Sequence, residues 1–293
     1  MRVSDSYVFD LANARLMRTR RESTAVVDQI SSGKRVEAPW DDAAAAGLIT
    51  RFAQERARQD SLMTAATRSS DELAAVDGAL DQVTTALSRA RELAVQLSND
   101  TYSPSDRRNA AAEVQQLFQQ VVGSLNLRFG DRYVFGGTAD QAPPFDAAGA
   151  YLGNAATRRV EIAPGILQDA SIRADVALKG AGGGVDVLAS LSAFATALTT
   201  NDTTGIRSAV GALADGTEQL SVARSRAGAM MNVFDVAASA ARVTRDDATK
   251  GRSGFEDVDL VDASTRYAAT ERALEASMSA AARSFRLSLL DKL

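Results

Sequence analysis

Apolar residues recur at alternating intervals of four and three along residues 62–97, and mostly polar residues fill the positions between them. Ten of the eleven positions in this series are apolar, and Ser69 is the exception. Such heptad spacing is typical of a long α-helix whose narrow apolar stripe packs against a partner helix. The members that we assign to coiled-coil packing are Leu62, Leu73, Val76, Leu80, Val83, Leu87 and Leu97.

A second series with the same spacing lies in the other half of the chain. Thr217 and Arg224 are among its polar interruptions. Because each apolar stripe has to be buried, we expect a helix over 204–248 to pack against the helix of the first series. We expect Ser69 and Arg224 to set the register of the pair. The positions assigned to packing in the second series are Ile206, Val210, Leu213, Leu220, Met231 and Phe234.

Capping and breaking residues set the predicted helix ends. A first helix over 5–31 stops at Gly33, and a long helix that begins at Pro39-Trp40-Asp41-Asp42 runs to about residue 98. Ser103-Pro104 begins a third helix, because serine caps helix N-termini and proline suits the first turn. The connection to the preceding helix is short, so we expect these two helices to form an antiparallel hairpin.

Proline and glycine become frequent between residues 130 and 184. Extended runs are predicted at 133–137, 158–163 and 172–178, which indicates a small β insert. The glycine-rich stretch 180–184 is expected to be a flexible joint between this insert and the helices that follow.

The sequence therefore predicts a mainly α fold. It is a long antiparallel coiled-coil helical bundle built from both chain ends, with a small β-rich inserted domain. Gly251 and Gly254 are expected to interrupt the helix of the second series. The predicted segments are an N-terminal helix at 1–40, a helical hairpin at 41–129, the insert at 130–184, a C-terminal part of the bundle at 185–250 and a C-terminal helix at 251–293.

The composition argues against several classes of protein. The chain has neither Cys nor His, so it lacks thiol nucleophiles, imidazole bases and the two best zinc ligands. A net charge of −4 gives no electrostatic support for nucleic-acid binding. The longest uncharged run, 187–201, is too short to span a membrane. We expect no enzyme activity, cofactor, metal ion, small-molecule substrate, nucleic-acid or membrane partner, and no cleaved signal peptide.

Some residues that resemble catalytic or ligand-binding groups have plainer structural interpretations. The adjacent Asp41 and Asp42 are expected to cap a helix rather than to act as paired catalytic carboxylates. We expect Lys34 and Arg35 to be a charge pair in a turn. Trp40 is expected to be a packing anchor where the long helix begins.

Four blocks of residues resemble the flagellin-like family of axial flagellar proteins. The blocks are Ser32-Gly33-Lys34-Arg35 with Pro39-Trp40-Asp41-Asp42-Ala43, Arg91-Glu92-Leu93-Ala94-Val95-Gln96 with Asn99, Arg132-Tyr133-Val134-Phe135-Gly136-Gly137-Thr138 with Pro143-Pro144-Phe145, and Leu287-Ser288-Leu289-Leu290-Asp291-Lys292-Leu293. The last two blocks are similar to the members that join hook to filament. Trp40 and Ala43 stand where the family commonly has Ser and Pro.

The resemblance implies a structural subunit of the bacterial flagellum. Its terminal helices would form an inner coiled-coil tube after type III export. The implied partners are identical subunits, a neighbouring hook-associated protein, flagellin and an export chaperone. We hypothesise that chaperone and neighbouring subunit compete for the C-terminal amphipathic region at about 260–293. The candidate contact residues there are Leu274, Met278, Phe285, Leu287, Leu289 and Leu290.

Two alternative functions stay open. Some flagellins carry a segment like Tyr133–Gly137, so the chain is alternatively a filament flagellin. A cytoplasmic signalling coiled coil is the second alternative, because the helices are rich in Ala, Gln and Glu. The Pro- and Gly-rich β insert argues against that second alternative.

Overall fold

The computed structural model describes the backbone of residues 5–290 and the side chains of residues 7, 10–280 and 282. The predicted class is confirmed, because long helices dominate and the strands form two small two-stranded sheets. In chain order the elements are α1 (Asp5–Ser32), α2 (Ala43–Leu97), α3 (Pro104–Leu125), β1 (Arg128–Phe129), β2 (Arg132–Tyr133), β3 (Arg159–Ala163), β4 (Ile166–Asp169), α4 (Ala174–Lys179), α5 (Val187–Thr200), α6 (Thr203–Glu256) and α7 (Leu260–Leu290).

The chain divides into two compact units. One comprises residues 1–58 and 244–293, and the other comprises residues 59–243. We call them the terminal unit and the central unit. The divisions fall inside α2 and α6, so both long helices contribute to each unit. The five segments predicted from the sequence have their boundaries elsewhere, at predicted helix ends and at the limits of the insert. These boundaries stay predictions.

The core of the central unit follows the first heptad series. All eleven of its positions are buried, including Ser69. In α6 the packing residues Ile206, Leu213, Leu220 and Phe234 are completely buried, whereas Val210 and Met231 are half-buried at the edge of the core. The spacing of apolar residues therefore predicted which faces of the two helices turn inward.

Ion pairs and hydrogen bonds across α2 and α6 show that the helices run antiparallel. Arg224 donates to Asp77 over 2.8 Å and to Asp81 over 2.7 Å. Ser70, which precedes Asp77 along α2, donates over 2.9 Å to Asp235, which follows Arg224 along α6. The guanidinium of Arg224 thus bridges two successive turns of α2, a contact that favours one alignment of the helices.

Ser69 differs from Arg224 in its hydrogen bonding. Its hydroxyl donates to the backbone carbonyl of Ala65, one turn earlier in the same helix, over 2.9 Å. This bond satisfies the buried hydroxyl within α2. The register role that we expected of Ser69 therefore has no support from this hydrogen bond.

The hairpin of α2 and α3 forms as predicted. Arg89 donates to Glu113 over 2.8 Å, and Ser124 donates to Gln82 over 2.8 Å, so the helices run antiparallel. Ser103 caps α3 in a capping box, in which its hydroxyl accepts from the backbone amide of Asp106 and its own amide donates to the Asp106 carboxylate. This reciprocal pair satisfies two amides that the first helical turn leaves without partners.

Removing the capping hydroxyl tests its contribution to the hairpin. We expect Ser103→Ala to lower the free energy of unfolding by about 1 kcal/mol, because one amide of the first turn loses its acceptor. Urea denaturation followed by far-ultraviolet circular dichroism measures this loss. Ser208→Ala, at an exposed position of α6 away from this cap, is the control and should change stability by less than about 0.5 kcal/mol. Equal effects of the two substitutions would contradict the role of the cap.

The predicted break at Gly251 and Gly254 is wrong, because α6 continues to Glu256. A Cβ atom at position 251 would lie 2.6 Å from the ring of Phe52. Glycine therefore lets this ring approach the backbone of α6, and Phe52 also stacks on Phe255 with ring centroids 6.1 Å apart. Tertiary packing here outweighs the weak helix propensity of glycine.

The strands of the insert differ in position from the extended runs that the sequence predicted. β3 confirms the run at 158–163, and it pairs antiparallel with β4. The prediction of an extended run at 172–178 is wrong, because most of it is α4. Residues 133–137 begin in β2 and continue through turns.

The glycine-rich stretch after α4 forms a hydrogen-bonded turn. Gly180 adopts a left-handed conformation at the end of α4, and the amides of Gly183 and Gly184 both donate to its carbonyl. The side chain of Gln219 in α6 accepts from the amide of Val185 and donates to its carbonyl and to that of Ala177. These contacts argue against the expected flexible joint, because Gln219 ties both sides of the turn to α6.

Candidate assembly surfaces

Two loops of the terminal unit pair through their backbones. The amide of Arg35 donates to the carbonyl of Glu256 over 2.7 Å, and the amide of Val258 donates to the carbonyl of Gly33 over 3.0 Å. Gly33 has a φ of 71°, a conformation that costs glycine little and lets the chain turn sharply after α1. We call residues 33–42 and 255–259 the loop pair. It joins the end of α1 to the start of α7.

Side chains reinforce the loop pair. The guanidinium of Arg35 donates to Asp42 over 3.1 Å and to the carbonyl of Phe255 over 2.9 Å. The Nζ atom of Lys34 lies 2.9 Å from the carboxylate of Glu256. The sequence predicted a charge pair in a turn, and each of the two cations in fact contacts a separate acid.

The two adjacent aspartates act on backbone amides. Asp42 accepts from the amide of Ala45 at the start of α2 over 3.0 Å. This hydrogen bond, followed by the contact with Arg35, lowers the pKa of Asp42. Asp41 accepts from the amides of Glu37 and Ala38 and so holds the preceding turn. The carboxylates therefore cap a helix and a turn, as we expected. Pro39, two residues before Asp41 in the same loop, is exposed.

Trp40 is not the packing anchor that the sequence predicted. Its side chain is 86% exposed. The hydrogen bonds of Asp41 and Asp42 form the turn, and the indole points away from it. Polar capping rather than burial of the aromatic ring thus determines where α2 begins.

Glu256 makes the loop pair sensitive to acid. Hydrogen bonds from Arg252 are the largest cause of its lowered pKa, and Lys34 adds to the effect. The unfolded chain binds a proton at this group near pH 4.5, whereas the folded chain does so only at lower pH. The contribution of Glu256 to stability is therefore complete above this range and is lost as the pH falls through the lowered pKa.

Acidification should consequently open the loop pair. We expect hydrogen-exchange protection of residues 33–36 to fall between about pH 5 and about pH 3, relative to Glu256→Gln measured at the same pH. Mass spectrometry of peptides after exchange measures it. Asp262→Asn, which removes an exposed acid paired with Arg266, is the matched control. A native chain and a Glu256→Gln chain with identical pH profiles would refute the prediction.

Helices α1 and α7 pack against each other, as the sequence predicted for the two chain ends. The side chain of Arg266 donates to Gln29 over 3.4 Å. Of the candidate chaperone contacts, Leu274 is half-buried and Met278 is 49% exposed. The other four, Phe285, Leu287, Leu289 and Leu290, lie outside the described side chains.

The two phenylalanines of the insert motif belong to the core of the central unit. Phe135 and Phe145 are completely buried, and the ring of Phe145 lies 5.2 Å from that of Tyr151. The Tyr151 hydroxyl donates to the carbonyl of Phe135 over 3.0 Å. The side chain of Asn126 donates to the carbonyl of Phe145 and accepts from its amide. Pro144 is also buried, and Tyr133 is half-buried.

The paired glycines of this motif are required by close backbone contacts. A Cβ atom on Gly136 would lie 2.4 Å from the carbonyl oxygen of Ala139, and one on Gly137 would lie 2.3 Å from the side-chain oxygen of Asn154. Gly137 also has a φ of 71°, which disfavours any other residue. The motif is therefore a packing motif of the insert.

A buried ion cluster joins the insert to α2, and the sequence did not reveal it. Glu72 has 1% of its side chain exposed, and it contacts Arg132 over 2.5 Å and Arg158 over 2.7 Å. The two arginines lie 60 and 86 residues further along the chain. In the sequence, the only indication of this cluster is that Glu72 stands directly before the heptad position Leu73. This indication does not identify the two arginines as partners of Glu72.

A second buried charge closes the other end of the helical hairpin. Arg107 is 3% exposed, and its guanidinium donates to the carbonyls of Leu97 and Asn99 and to the side chain of Asn201. The carbonyls at the end of a helix carry partial negative charge, which favours a cation there. Arg107 thereby connects the ends of α2 and α5 to α3.

The described residues contain no group of three or more His, Cys, Asp or Glu placed to bind a metal ion. Within the described residues, no helix has both the length and the apolar character needed to span a bilayer.

Comparison with known proteins identifies flagellar relatives. Residues 4–140 match the family model for the bacterial flagellin N-terminal helical region. Flagellar hook-associated protein 3 of Salmonella typhimurium is 32% identical over 155 residues, which cover 52% of this chain and 49% of that protein. The same protein of Escherichia coli is 30% identical over 164 residues, covering 55% and 52%. The flagellin of Listeria monocytogenes is 29% identical over 121 residues, covering 41% and 42%. The chain thus spans about half the length of the curated relatives it matches.

Solved structures share the fold. A flagellar hook-associated protein from Vibrio parahaemolyticus has a TM-score of 0.67 at 20% identity, with 74% of this chain and 100% of that chain covered. Bacillus cereus FlgL has a TM-score of 0.59 at 18% identity, with 70% and 99% covered. The resemblance to the flagellin-like axial proteins that the sequence motifs indicated is therefore confirmed.

Proposed function

We propose that this chain is a structural subunit of the bacterial flagellum that joins the hook to the filament. The observation that carries the proposal is its similarity to hook-associated protein 3 over 155 and 164 residues, against 121 residues for the Listeria flagellin. The central unit supports a mechanical role. Its long antiparallel helices are locked together by a continuous apolar seam and by Arg224.

The proposed partners are identical subunits, a neighbouring hook-associated protein and flagellin. The terminal unit supports this proposal through its apolar exposure. Tyr7 and Leu11 on α1, and Leu260 and Val261 on α7, are between 42% and 78% exposed. The loop pair holds the two helices side by side, so that neighbouring subunits can bury these residues when the subunits assemble.

We further propose that an export chaperone binds the C-terminal helix before assembly, and that the chain leaves the cell through the flagellar type III apparatus. The proposal rests on the family resemblance and on the exposure of Met278 in α7. Isothermal titration of the full chain with the chaperone tests it. Phe285→Asp with Leu289→Asp should abolish the heat of binding. Undiminished binding by this double variant would refute the proposed contact.

Deletion of the gene tests the proposed function. We expect bare hooks in electron micrographs and flagellin released into the medium, because filament subunits are exported but have nothing to build on. Re-expression of the native chain should restore filaments. Normal filaments in the deletion strain would overturn the proposal and favour the signalling coiled coil.

A filament flagellin is the second candidate, favoured by the similarity to the Listeria flagellin. The same deletion strain distinguishes the candidates, since loss of a flagellin removes filament protein from both cells and medium. Growth of long filaments from seeds by the purified chain would also favour a flagellin, whereas a junction subunit should not extend itself.

A further inference from the structure

The outward face of α6 carries a second heptad stripe that packing within the chain does not explain. Its apolar members are Val222, Ala229, Val233, Val236, Ala240 and Val243, and they follow the four–three spacing with Arg226 in the remaining position. All seven side chains are exposed, and Val222, Val236 and Val243 exceed 60% exposure. We call this stripe the outer seam of α6.

Helix propensity does not account for these valines. Valine is a poorer helix former than alanine, lysine or glutamate, because its branched side chain loses rotamer freedom in a helix. Between residues 227 and 241 of α6, Asp235 is the single charged residue. An exposed helix face of this composition is typical of a surface that another helix covers.

Other elements cover the neighbouring surface of α6 at the N-terminal end of the outer seam. Ala177 of α4 accepts from Gln219, and Arg226 lies 3.9 Å from Asp169 of β4. A cavity of about 230 Å³ lies between α4 and α6, with Val176 and Val222 in its wall. The seam continues beyond this cover for roughly 25 Å, taking a rise of about 1.5 Å per residue from 226 to 243.

A second exposed stripe runs along α2, on the side of the helix that borders α6 of the same subunit. Seven positions from 74 to 95 have the same spacing and are all exposed. Ala74, Gly78 and Ser88 are small, Thr85 is only slightly larger, and Val95 ends the stripe. Space around the Cβ position of Gly78 is open. Branched side chains on one helix fit against small residues on another, because the two backbones can then approach closely.

The charges in the two stripes have opposite signs. Asp81 and Glu92 interrupt the stripe of α2, and Arg226 interrupts the outer seam of α6. Within the chain Asp81 meets Arg224, Glu92 meets Arg89, and Arg226 lies 3.9 Å from Asp169. The side chains of Asp81, Glu92 and Arg226 nevertheless stay 59%, 68% and 60% exposed, respectively, so each can meet a further partner. Complementary charges of this kind set the pairing of helices more than they strengthen it.

We propose that the outer seam of α6 binds the α2 stripe of a second copy of this chain. Because α2 and α6 are antiparallel within one subunit, two subunits that point the same way present these faces to each other in antiparallel orientation. The two stripes are different surfaces of the subunit, so the contact is heterologous, and its repetition generates a ring or helix of subunits. The inference rests on the proposed function, since it identifies the contact between neighbouring junction subunits.

Photo-crosslinking tests which surface meets the seam. A benzophenone amino acid at Val236 of the full chain is irradiated in isolated flagella, and the linked peptides are mapped by mass spectrometry. We expect a covalent dimer of this chain that links position 236 to a peptide within 74–95. The same photo-residue at Leu152, an equally exposed apolar position in the insert, should not yield that peptide. A link from 236 to α6 of the second copy, to another protein or to no partner would overturn the proposal.

A charge substitution tests whether the seam is needed for assembly. We expect Val233→Asp with Val236→Asp to leave thermal unfolding unchanged and to reduce the number of cells with filaments at least tenfold. Ile166→Asp with Leu167→Asp, at similarly exposed apolar residues of β4, is the matched control and should retain filaments. If the native chain restores filaments in the deletion strain and the seam variant does so equally, the seam proposal alone fails. Normal filaments in the deletion strain itself would instead remove the proposed function.

Discussion

We expect Glu72→Gln to lower the free energy of unfolding by about 3 kcal/mol, because it breaks a buried ion cluster. Glutamine has nearly the shape of glutamate, so the substitution removes charge with little change in packing. It leaves Arg132 and Arg158 beside a buried site without their counter-charge. Both arginines keep about 20% of their side chains exposed, and water that reaches them keeps the loss near the lower end of the range for broken buried pairs.

Asp81→Asn is the matched control for this prediction. Asp81 is also an acid of α2 that meets an arginine, but 59% of its side chain is exposed. Exposed ion pairs contribute less than about 1 kcal/mol, because water and salt screen the charges. Urea denaturation of the full chain followed by circular dichroism compares the two variants. Equal losses would contradict the special role of the buried site.

We expect Arg107→Met to lower the free energy of unfolding by about 3 kcal/mol. The substitution retains much of the aliphatic volume but removes every N–H group of the guanidinium. The carbonyls of Leu97 and Asn99 and the side-chain oxygen of Asn201 then lose a charged donor in a buried place. Hydrogen bonds to charged groups contribute about 1.5 to 3 kcal/mol, and buried acceptors left without partners add to the loss.

The neighbouring exposed arginine provides the control. Arg108→Met changes the same type of residue on the same turn of α3, and we expect it to alter stability by less than about 0.5 kcal/mol. Hydrogen exchange should show where the loss in Arg107→Met acts. Protection should fall at the C-terminal ends of α2 and α5 before it falls in the middle of α2. Uniform loss along α2 would argue against a local role at the helix ends.

The long helices and their buried faces could be predicted because the relevant signals are local. Leu73 and Leu80 belong to a spacing that any helix converts into one face, and Ser103 caps α3 through bonds within three residues. The fold class followed from these signals. Similarly, the capping roles of Asp41 and Asp42 depend on amides within the same turn.

The contacts that the sequence did not reveal join residues far apart along the chain. Glu72 meets arginines of the insert, and Arg107 meets Asn201. Gly251 stays helical because Phe52 packs against its backbone. Nothing in the residues next to these positions records their partners, so the pairing emerges only when the helices are placed side by side.

The sequence also did not predict correctly which apolar side chains are exposed. A tryptophan beside a helix start usually packs against the chain, yet Trp40 is exposed. The exposure of four valines on α6 was likewise not predicted, because the buried heptad stripe already accounts for the helix without them. Residues that a subunit buries only against its neighbours look like core residues in the sequence, because the physical chemistry of the two environments is the same.

The position of the chain in the flagellum tests the central claim most directly. The exposed turn at Pro164-Gly165 between β3 and β4 can accept a short epitope tag, since insertions at exposed turns are tolerated. Immunogold electron microscopy of isolated flagella then locates the tagged chain. A single cluster of gold between hook and filament is the result that we predict. Gold along the whole filament, or gold absent from flagella that are otherwise normal, would contradict a junction subunit.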